Sequence, residues 1–373
     1  MGLTTVASTP GTSMAGQVAS SRRGSVERVD ARQYRGEIIS LYERDGNQQF
    51  PAQFDWYYRD RGQPPPISWL LRDQKERVCG VCSVTLRDLQ FGKINIRAGV
   101  AGNLMVDRAT GLYLGAFSLV NTMKAMVLNR EIDILLGIPN QSAKSIFLRL
   151  GFHVIDRWKT CMQAFHSREL LRFYLGFAGD LAGPLVDFCT GTRRALSHWT
   201  QADLKGFRVV ELAQDELDRL PLEDWPAPWK RFVVRGSSEY LEWRFLRNPL
   251  NPCEIAAVAA SDGTLCGYLV LQRLPGRVVI VDCGVDHRQL SETAAILSFC
   301  RDRQARRSTV WVTSLGTGAL SEQLSSCGFV SAPPKMGGYP DYPLVGFWLP
   351  EHSLASAFCE AGAWNLFPGF NDV

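Results

Sequence analysis

The chain has 373 residues, of which 46% are hydrophobic and 21% charged, and its net charge at pH 7 is +4. This composition is typical of a folded protein, and the length exceeds what one compact core usually holds, so we expect two domains. The small net charge comes without a basic stripe, which argues against a nucleic-acid-binding protein. No apolar run is long enough to cross a bilayer and no signal peptide is visible, so we expect a cytoplasmic protein.

The ten cysteines are spread singly over the chain, which is typical of thiols in a reducing compartment. Cys79 and Cys82 are the one suggestive pair, but no second pair accompanies them. On a strand, positions i and i+3 face opposite sides, so buried thiols are the better interpretation. The five histidines show no metal-ligand spacing either. We therefore expect no metal cofactor.

The first third of the chain predicts a tail, a helix and a strand meander. Residues 1–30 are rich in Ser, Thr, Gly and Ala and have too little apolar content to fold, so we expect a mobile tail. A helix is predicted from Tyr34, and the segment FDWYYRDRG after it is predicted as a loop, ended by the prolines at 64–66. The segments ISWLLRD and VCGVCSVTL are predicted strands, and GKINIRAGVAGNLMVD leads into a central strand.

The stretch 103–152 reads as strand, glycine-bearing turn, helix, strand and a second, short helix. Val120, Met123 and Val127 recur at helical spacing, and Gly151 is the predicted left-handed cap of the second helix. A turn that frees several backbone N–H groups at a helix N-terminus is an anion site, most often for phosphate. The turn before the first helix is therefore a candidate phosphate site.

This stretch resembles the core of the GCN5-related N-acetyltransferase (GNAT) superfamily. In that family the fourth strand runs into an Arg-Gly-x-Gly-x-Gly turn that holds the acetyl-CoA pyrophosphate, and a later helix ends in Tyr-x-x-x-Gly-Phe. The turn here keeps Gly111 and Gly115 but lacks the arginine and the middle glycine, and Phe147 stands where the family often has tyrosine. On the plain structural interpretation, the two glycines are only a loop and a helix-packing position.

The order of elements returns in the second half of the chain, at four pairs of positions. The offsets are 243 − 56 = 187, 267 − 80 = 187, 286 − 107 = 179 and 328 − 151 = 177, for Trp56 and Trp243, Gly80 and Gly267, Asp107 and Asp286, and Gly151 and Gly328. The drop of eight indicates a longer stretch between the third and fourth strands of the first copy. The second copy has HRQLSETAA in place of the phosphate turn, without glycine, so we expect it to have kept the fold and lost the cofactor loop.

The predicted fold class is mixed α+β, with two tandem GNAT-like units that are each a mostly antiparallel mixed sheet flanked by helices. Such tandem units resemble a bacterial group that includes Fem-type aminoacyl transferases, mycothiol synthase and acetyltransferase-like proteins of polysaccharide biosynthesis. The segment 240–249, YLEWRFLRNP, most resembles the last of these. The predicted parts are a tail at 1–30, a unit with the cofactor turn at 31–165, a helical bridge at 166–205, a degenerate unit at 206–350 and a docked tail at 351–373.

The apolar bridge is expected to be buried between the units, because its basic residues are too few for an anionic membrane surface. A peripheral membrane contact of this helical segment is left open.

The resemblance implies where acyl-CoA would bind. The oxyanion donor is expected among the N–H groups of the fourth strand, and the phosphates on those of the turn. Asn140 follows the fifth strand, where the family often has an asparagine at the pantetheine or thiolate; capping of the next helix is an equally weighted role. The implied cofactor-binding residues are Leu104, Met105, Val106, Thr110, Gly111, Leu112, Tyr113, Leu114, Gly115, Ala116 and Asn140.

The acceptor side is less defined by the sequence. Asp55, Trp56, Tyr57 and Arg97 are the candidate substrate-binding residues, with Asn140 and Tyr57 as candidate catalytic residues. Asp55, Glu43 and Asp107 could be the base and Tyr57, Tyr58 or Tyr113 could donate a proton, but each is also an ordinary structural residue. The aromatic loop is equally expected to pack on the second unit. No nucleophile motif is present, so direct attack by the acceptor amine is the simpler mechanism.

The sequence therefore predicts an N-acyltransferase that uses acetyl-CoA or another acyl-CoA and acetylates an amine of a small molecule or amino sugar. The alternative is a non-catalytic tandem GNAT-fold binding or scaffold protein, which the degenerate turn and Phe147 favour. A Fem-type aminoacyl transferase is disfavoured, because the chain shows neither the helical hairpin nor the basic groove with which that group binds tRNA. Binding of acetyl-CoA discriminates between the first two.

Overall fold

The fold is described from a computed structural model, over residues 24–58, 64–107, 113–164, 206–228, 230–234, 236–275, 277–305, 311–332, 343–360 and 362–367. Most of the predicted N-terminal tail, the 166–205 bridge and residues 108–112 of the predicted phosphate turn lie outside these ranges. Within the predicted tail, Val26–Val29 form a strand, because the alternating segment VERV pairs with the strand at 67–72.

The described residues form fifteen strands: β1 (Val26–Val29), β2 (Ile67–Arg72), β3 (Val78–Phe91), β4 (Ile94–Val106), β5 (Ile134–Gly137), β6 (His153–Arg157), β7 (Lys159–Ala164), β8 (Phe207–Glu211), β9 (Phe232–Val234), β10 (Glu254–Ala260), β11 (Leu265–Leu274), β12 (Arg277–Val285), β13 (Trp311–Gly316), β14 (Val330–Ser331) and β15 (Pro343–Trp348). Their α-helices are α1 (Arg35–Arg44), α2 (Phe50–Tyr58), α3 (Tyr113–Leu128), α4 (Gln141–Arg149), α5 (Ser238–Leu241), α6 (Glu292–Ala305), α7 (Gly318–Ser326) and α8 (Ala355–Phe358).

Two sheets share one strand order. The first runs β1-β2-β3-β4-β5-β15-β6, with β9 paired to β3, and the second runs β8-β10-β11-β12-β13-β7-β14. Among the described strands, β4–β5 and β12–β13 are the parallel pairs, at the same place in each sheet. The predicted fold class, two tandem α+β units with mostly antiparallel mixed sheets, is confirmed.

The two sheets exchange one strand with each other. A single residue separates the end of β6 from the start of β7. Strand β7 nevertheless pairs with β13 and β14, whereas β6 pairs with β15. Strand β15 follows β14 in the chain. Whereas β14 belongs to the second sheet, β15 lies between β5 and β6 of the first. Because main-chain hydrogen bonds hold each exchanged strand on both sides, the two units form one interlocked body.

The extra eight residues of the first copy lengthen a β-hairpin. Strands β3 and β4 have 14 and 13 residues, whereas β11 and β12 have 10 and 9, so the difference is 4 + 4 = 8. The tip of the longer hairpin pairs with β9, from Leu89↔Val234 to Phe91↔Phe232. These residues therefore connect the two halves.

Backbone contacts confirm the internal duplication. The amide of Asp107 donates to the carbonyl of Cys79 at 2.8 Å, and the amide of Asp286 donates to that of Cys266 at 2.8 Å. Gly151 and Gly328, which follow α4 and α7, have φ of +86° and +91°, as expected for left-handed helix caps. Equivalent positions thus make equivalent contacts in both copies.

A shared core lies between the units. It joins α1 and α2 to α5, β10 and β11, and includes Phe54, Tyr58, Leu217, Leu241 and Val270. Because this cluster draws side chains from both halves, it ties the units together besides the exchanged strands. In the part of the chain that the structure describes, no helix combines the length and apolar character needed to span a membrane.

Candidate active site

Strands β4 and β5 separate before β4 ends, and this gap is the centre of the candidate site. The two strands pair only at Ala98↔Ile134, Gly99↔Leu135 and Val100↔Leu136. Beyond Val100, β4 continues for six residues, to Val106, on which the described residues make ladder contacts from β3 alone. We call this opening the first wedge. An extended ligand can lie along such an edge and take its main-chain hydrogen bonds.

A β-bulge lies inside the first wedge. Val81 pairs with Met105 and Ser83 with Gly102, so Asn103 and Leu104 together oppose the single residue Cys82. Asn103 has φ of +50°, in the left-handed region that asparagine tolerates better than most residues. A bulge bends the strand and increases its twist, so it changes the direction of the backbone groups at the end of β4.

The side chain of Asn103 belongs to a buried polar network. It is 4% exposed, and its Nδ2 donates to the Tyr58 hydroxyl at 3.1 Å, while its Oδ1 has no hydrogen-bond partner among the described residues. The Tyr58 hydroxyl lies 2.7 Å from Ser83 Oγ, which lies 3.0 Å from Ser68 Oγ. Burial raises the pKa of Tyr58 to about 12, so this hydroxyl stays protonated and is not a general base.

The predicted cofactor residues lie around the first wedge as far as they are described. Leu104 and Val106 face the α3 side of the sheet, and Met105 faces the core between the units. Helix α3 begins at Tyr113, inside the predicted turn 110–115, so the prediction of a turn is wrong for residues 113–115, which are helical. Leu114 is exposed, Gly115 buried and Ala116 half-buried. Thr110, Gly111 and Leu112 lie outside the described residues.

Asn140 caps helix α4 at the same end of the sheet. Its Oδ1 accepts a hydrogen bond from the amide of Ala143 at 2.9 Å, and the residue is exposed. The capping role is therefore observed. Contact with a pantetheine or a thiolate stays a prediction, and it is compatible with the cap.

Asp55, Trp56 and Tyr57 of the predicted acceptor residues lie on helix α2, so the prediction of a loop is wrong. Phe50, Phe54 and Tyr58 recur at i, i+4 spacing and bury one face of the helix, although the prolines that follow had suggested a loop. Tyr57 is 1% exposed, and its hydroxyl lies 2.6 Å from Thr85 Oγ1. The indole of Trp56 is buried against Trp243 of the second unit.

The two charged candidates are placed apart from the first wedge. Asp55 accepts two hydrogen bonds from Arg35, at 2.9 and 2.7 Å. Arg97 is exposed and pairs with Asp88 in the N-terminal half of β4. It precedes Leu104 by seven residues, which at ~3.3 Å per residue is ~23 Å along the strand. Asp55 and Tyr57 thus lie two residues apart on α2, whereas Arg97 lies far from the end of β4.

Asn103 is a residue of the candidate site that the sequence did not predict. Its signal was an asparagine in the middle of an apolar strand, AGNLMVD, where asparagine is disfavoured and can mark a bulge.

By contrast, the cysteines of β3 offer no chemistry to the site. Burial raises the pKa of Cys79 to about 11, which leaves the thiol protonated and unreactive at neutral pH.

The equivalent opening of the second unit is spanned by the chain itself. Strands β12 and β13 pair from Arg277↔Trp311 to Ile280↔Ser314, and β12 continues to Val285; we call this opening the second wedge. Residues 364–366 lie across it. Thr317, just after β13, bonds to the Trp364 carbonyl and accepts from the Leu366 amide at 3.4 Å.

On the other side of the second wedge, Asn365 donates to the buried carboxylate of Glu292, the first residue of α6. A carboxylate at this helix N-terminus repels a phosphate group. Helix α3, in contrast, has no acidic residue in its first turn. Of these two helix starts, the one without a carboxylate is that of α3 in the first unit.

No family model matches the chain, and no curated protein matches it. Several solved structures are similar in fold. A conserved protein of unknown function from Enterococcus faecalis V583, named a probable N-acyltransferase, gives a TM-score of 0.59 at 10% identity, over 90% of this chain and 74% of that one. A GCN5-related N-acetyltransferase from Anabaena variabilis ATCC 29413 gives 0.55 at 8% identity, over 86% and 72%. Eis1 from Mycobacterium abscessus gives 0.54 at 12% identity, over 86% and 73%.

At these identities the similarity concerns the fold alone. It agrees with the strand order, the separated parallel strands and the helix after β4. The chain therefore has the fold of the GCN5-related N-acetyltransferases, in two tandem units.

Proposed function

We propose that the protein is an acyl-CoA-dependent N-acyltransferase whose first unit binds the acyl-CoA. One observation carries this proposal: the described residues leave the first wedge open along β4, whereas residues 364–366 and Glu292 narrow the second to a cavity of ≈ 80 Å³. The same fold thus presents one strand edge that the described residues leave free and one that residues 364–366 cross.

The chain's own groups then have defined tasks. The edge of β4 after Val100 binds the extended pantetheine arm, and the N–H groups at the start of α3 bind the pyrophosphate. An N–H group of Leu104, Met105 or Val106, redirected by the bulge, donates to the oxyanion that forms when the amine attacks the thioester carbonyl. The new C–N bond forms as the C–S bond breaks, and the proton released from the amine neutralises the departing thiolate.

The acceptor is a primary amine of a small molecule or an amino sugar. This part of the proposal rests on the sequence resemblance and on a first wedge that the described residues leave open on its β5 side. Tyr57 and Trp56 are buried in the core, so they have no part in acceptor binding in this proposal.

A second candidate function, acyl-CoA binding without turnover, is favoured by Phe147. This residue stands where the family often has a tyrosine, and its ring is buried against Phe152, with centroids 4.9 Å apart. A phenylalanine cannot donate a proton to the leaving thiolate. Turnover therefore distinguishes the two functions, and acyl-CoA binding is common to both.

Isothermal titration calorimetry with acetyl-CoA tests the binding step. Gly111→Asp places a negative charge in the predicted phosphate turn and should abolish binding. Gly36→Asp is the matched control, because a side chain at this position of α1 meets nothing within 4 Å. Unchanged affinity of Gly111→Asp for acetyl-CoA would contradict the assignment of this turn as the phosphate site. Release of free thiol with a panel of primary amines then separates the enzyme from the binding protein.

A further inference from the structure

A cavity of ≈ 80 Å³ lies in the second unit, along the part of the second wedge that residues 364–366 leave open. The end of β12 forms its floor, the segment 222–227 and β9 form two walls, and residues 365–367 form the side toward the wedge. Gln90, at the tip of the β3–β4 hairpin, also lines it. The cavity is therefore built from both halves of the chain.

Aromatic rings form much of its wall. The rings of Trp225 and Tyr268 are stacked, with centroids 6.2 Å apart and planes 15° apart, and Tyr240 lies beside them. Tyr268 lies flat on Gly284, since a Cβ at that position would come within 2.3 Å of its ring. Gly284 thus permits this ring to line the cavity instead of standing away from the strand.

A carboxylate, Asp282, faces this aromatic wall. Its Oδ1 accepts from the amide of Cys283 at 3.0 Å, and the Tyr268 hydroxyl lies 3.4 Å from its Oδ2. No lysine or arginine is among the described residues that line the cavity. The second carboxylate, Glu292, is already engaged by Asn365 and by His287, whose Nε2 is 3.2 Å away.

Burial raises the pKa of Asp282 to about 6, although the charge of Arg244 acts in the opposite direction. At neutral pH the group is therefore an anion that its surroundings compensate only in part. A cation bound in the cavity would supply the missing charge, and aromatic faces attract the same cation.

We propose that this cavity binds the terminal primary ammonium group of a small alkylamine, between Asp282 and the rings of Trp225, Tyr240 and Tyr268. The volume sets the size of the group, because a cavity that holds benzene measures about 150 Å³. A cavity of half that volume accommodates the ammonium end of an alkyl chain, but not a ring or a quaternary ammonium group.

This site is separate from the first wedge. Gln90 lies at one end of β3 and Cys79 at the other, beside the end of β4. Eleven residue-to-residue steps separate them, which is ~36 Å at ~3.3 Å per residue. The amine site therefore does not depend on acyl-CoA binding, and each can be tested while the other is intact.

Calorimetry and thermal unfolding with propylammonium chloride at pH 7.5 test the proposal on the full chain. We expect saturable binding and a rise in melting temperature that sodium chloride, propanol and tetramethylammonium chloride at equal concentration do not give. Asp282→Asn should weaken binding at least tenfold. Gly236→Leu should also abolish it by filling the cavity, since its Cβ would sit 3.8 Å from the Tyr268 hydroxyl oxygen and 4.0 Å from Tyr240.

Glu223→Gln is the matched control, because this carboxylate is exposed next to the lining residue Leu222 and does not line the cavity itself. It should bind propylammonium as the native protein does. Equal binding by Asp282→Asn, or an equal effect of propanol, would overturn the proposal. All three variants should bind acetyl-CoA with native affinity, so a failure here is distinguishable from a failure of the proposed acyltransferase.

Discussion

Trp56 and Trp243 bind each other reciprocally. The indole N–H of Trp56 donates to the carbonyl of Trp243 at 2.9 Å, and that of Trp243 donates to the carbonyl of Trp56 at 3.1 Å. The rings are stacked, with centroids 5.0 Å apart and planes 13° apart. Because the two residues are equivalent in the two copies, this exchange marks a local two-fold relationship between the units, like the self-complementary interface of a symmetric dimer.

Replacing Trp56 with alanine should reduce the free energy of unfolding by about 3–5 kcal/mol, since it removes a buried ring together with the indole N–H that donates to the Trp243 carbonyl. Trp56→Phe keeps an aromatic face and loses the hydrogen bond, so we expect a loss of about 1–3 kcal/mol. Urea unfolding followed by circular dichroism measures both values. Trp243→Phe should match Trp56→Phe, and a large difference between them would contradict the two-fold relationship.

We expect that neither half of the chain folds alone, because β7 and β15 each complete the sheet of the other half. A protease that cuts within the 166–205 bridge should leave both fragments associated at the mass of the intact chain in size-exclusion chromatography. Each half expressed separately should aggregate, since its sheet would lack a strand and expose two unpaired edges. Two soluble, separate halves after the cut would contradict the interlocked fold.

The local patterns of the sequence determined most of the fold that could be predicted. Glycines with positive φ at 151 and 328, and the repeated order of strands and turns, were sufficient to indicate two copies of one unit. Long-range pairing was not accessible in this way. Nothing local in KTCMQA assigns β7 to the second sheet, because the partner strands lie more than a hundred residues away. The residue after β6, Trp158, gives no sign of the change of sheet.

The candidate site was predicted in outline and missed in detail. The end of β4 and the turn follow from the GNAT-like order of elements. The bulge at Asn103 is a matter of register between β3 and β4, which a single sequence does not define when both strands are apolar. Tyr57 was predicted as a site residue, but in the structure it is a core residue. Its aromatic neighbours suggested a substrate-binding loop, whereas the same aromatics have helical spacing and lie in the core with it.

We expect one acyl-CoA per chain. Residues 364–366 cross the second wedge and leave a cavity of ≈ 80 Å³ there, and Glu292 would repel a pyrophosphate at the start of α6. Calorimetry with acetyl-CoA should therefore give a stoichiometry near one, and Glu292→Gln should leave it unchanged because the segment still blocks the wedge. A stoichiometry of two in either protein would show that the second unit also binds the cofactor.

Asn103→Ala and Asn103→Gly separate backbone strain from side-chain contacts at the bulge. Alanine is disfavoured at φ of +50°, by about 1–2 kcal/mol, and it also loses the hydrogen bond to Tyr58. Glycine loses the same hydrogen bond without the strain. We therefore expect Asn103→Ala to be less stable than Asn103→Gly by about 1–2 kcal/mol in urea unfolding. Equal stabilities would show that the bulge relaxes, and that Asn103 does not fix the N–H groups of the first wedge.

Asp282 should make the protein less stable as the pH rises from 4 to 6. Its pKa rises from 3.8 to about 6 on folding, chiefly because it is buried, so in this range the folded state binds more protons than the unfolded state. Stability therefore falls as the folded carboxylate ionises, and the full loss is present above pH 6. Asp282→Asn does not titrate, so it should be more stable than the native protein at pH 7.5, by about 1–3 kcal/mol, and equal to it near pH 4.

Urea unfolding of both proteins between pH 4 and 8 measures this difference. The other groups near Asp282 are Tyr268, Cys283 and Arg244, and they are present in both proteins, so the difference between the two proteins reports on Asp282. A variant less stable than the native protein at pH 7.5 would mean that its neighbours stabilise the Asp282 carboxylate already. The charge of the Asp282 carboxylate would then already be compensated, which would contradict the proposal that the cavity binds an ammonium group.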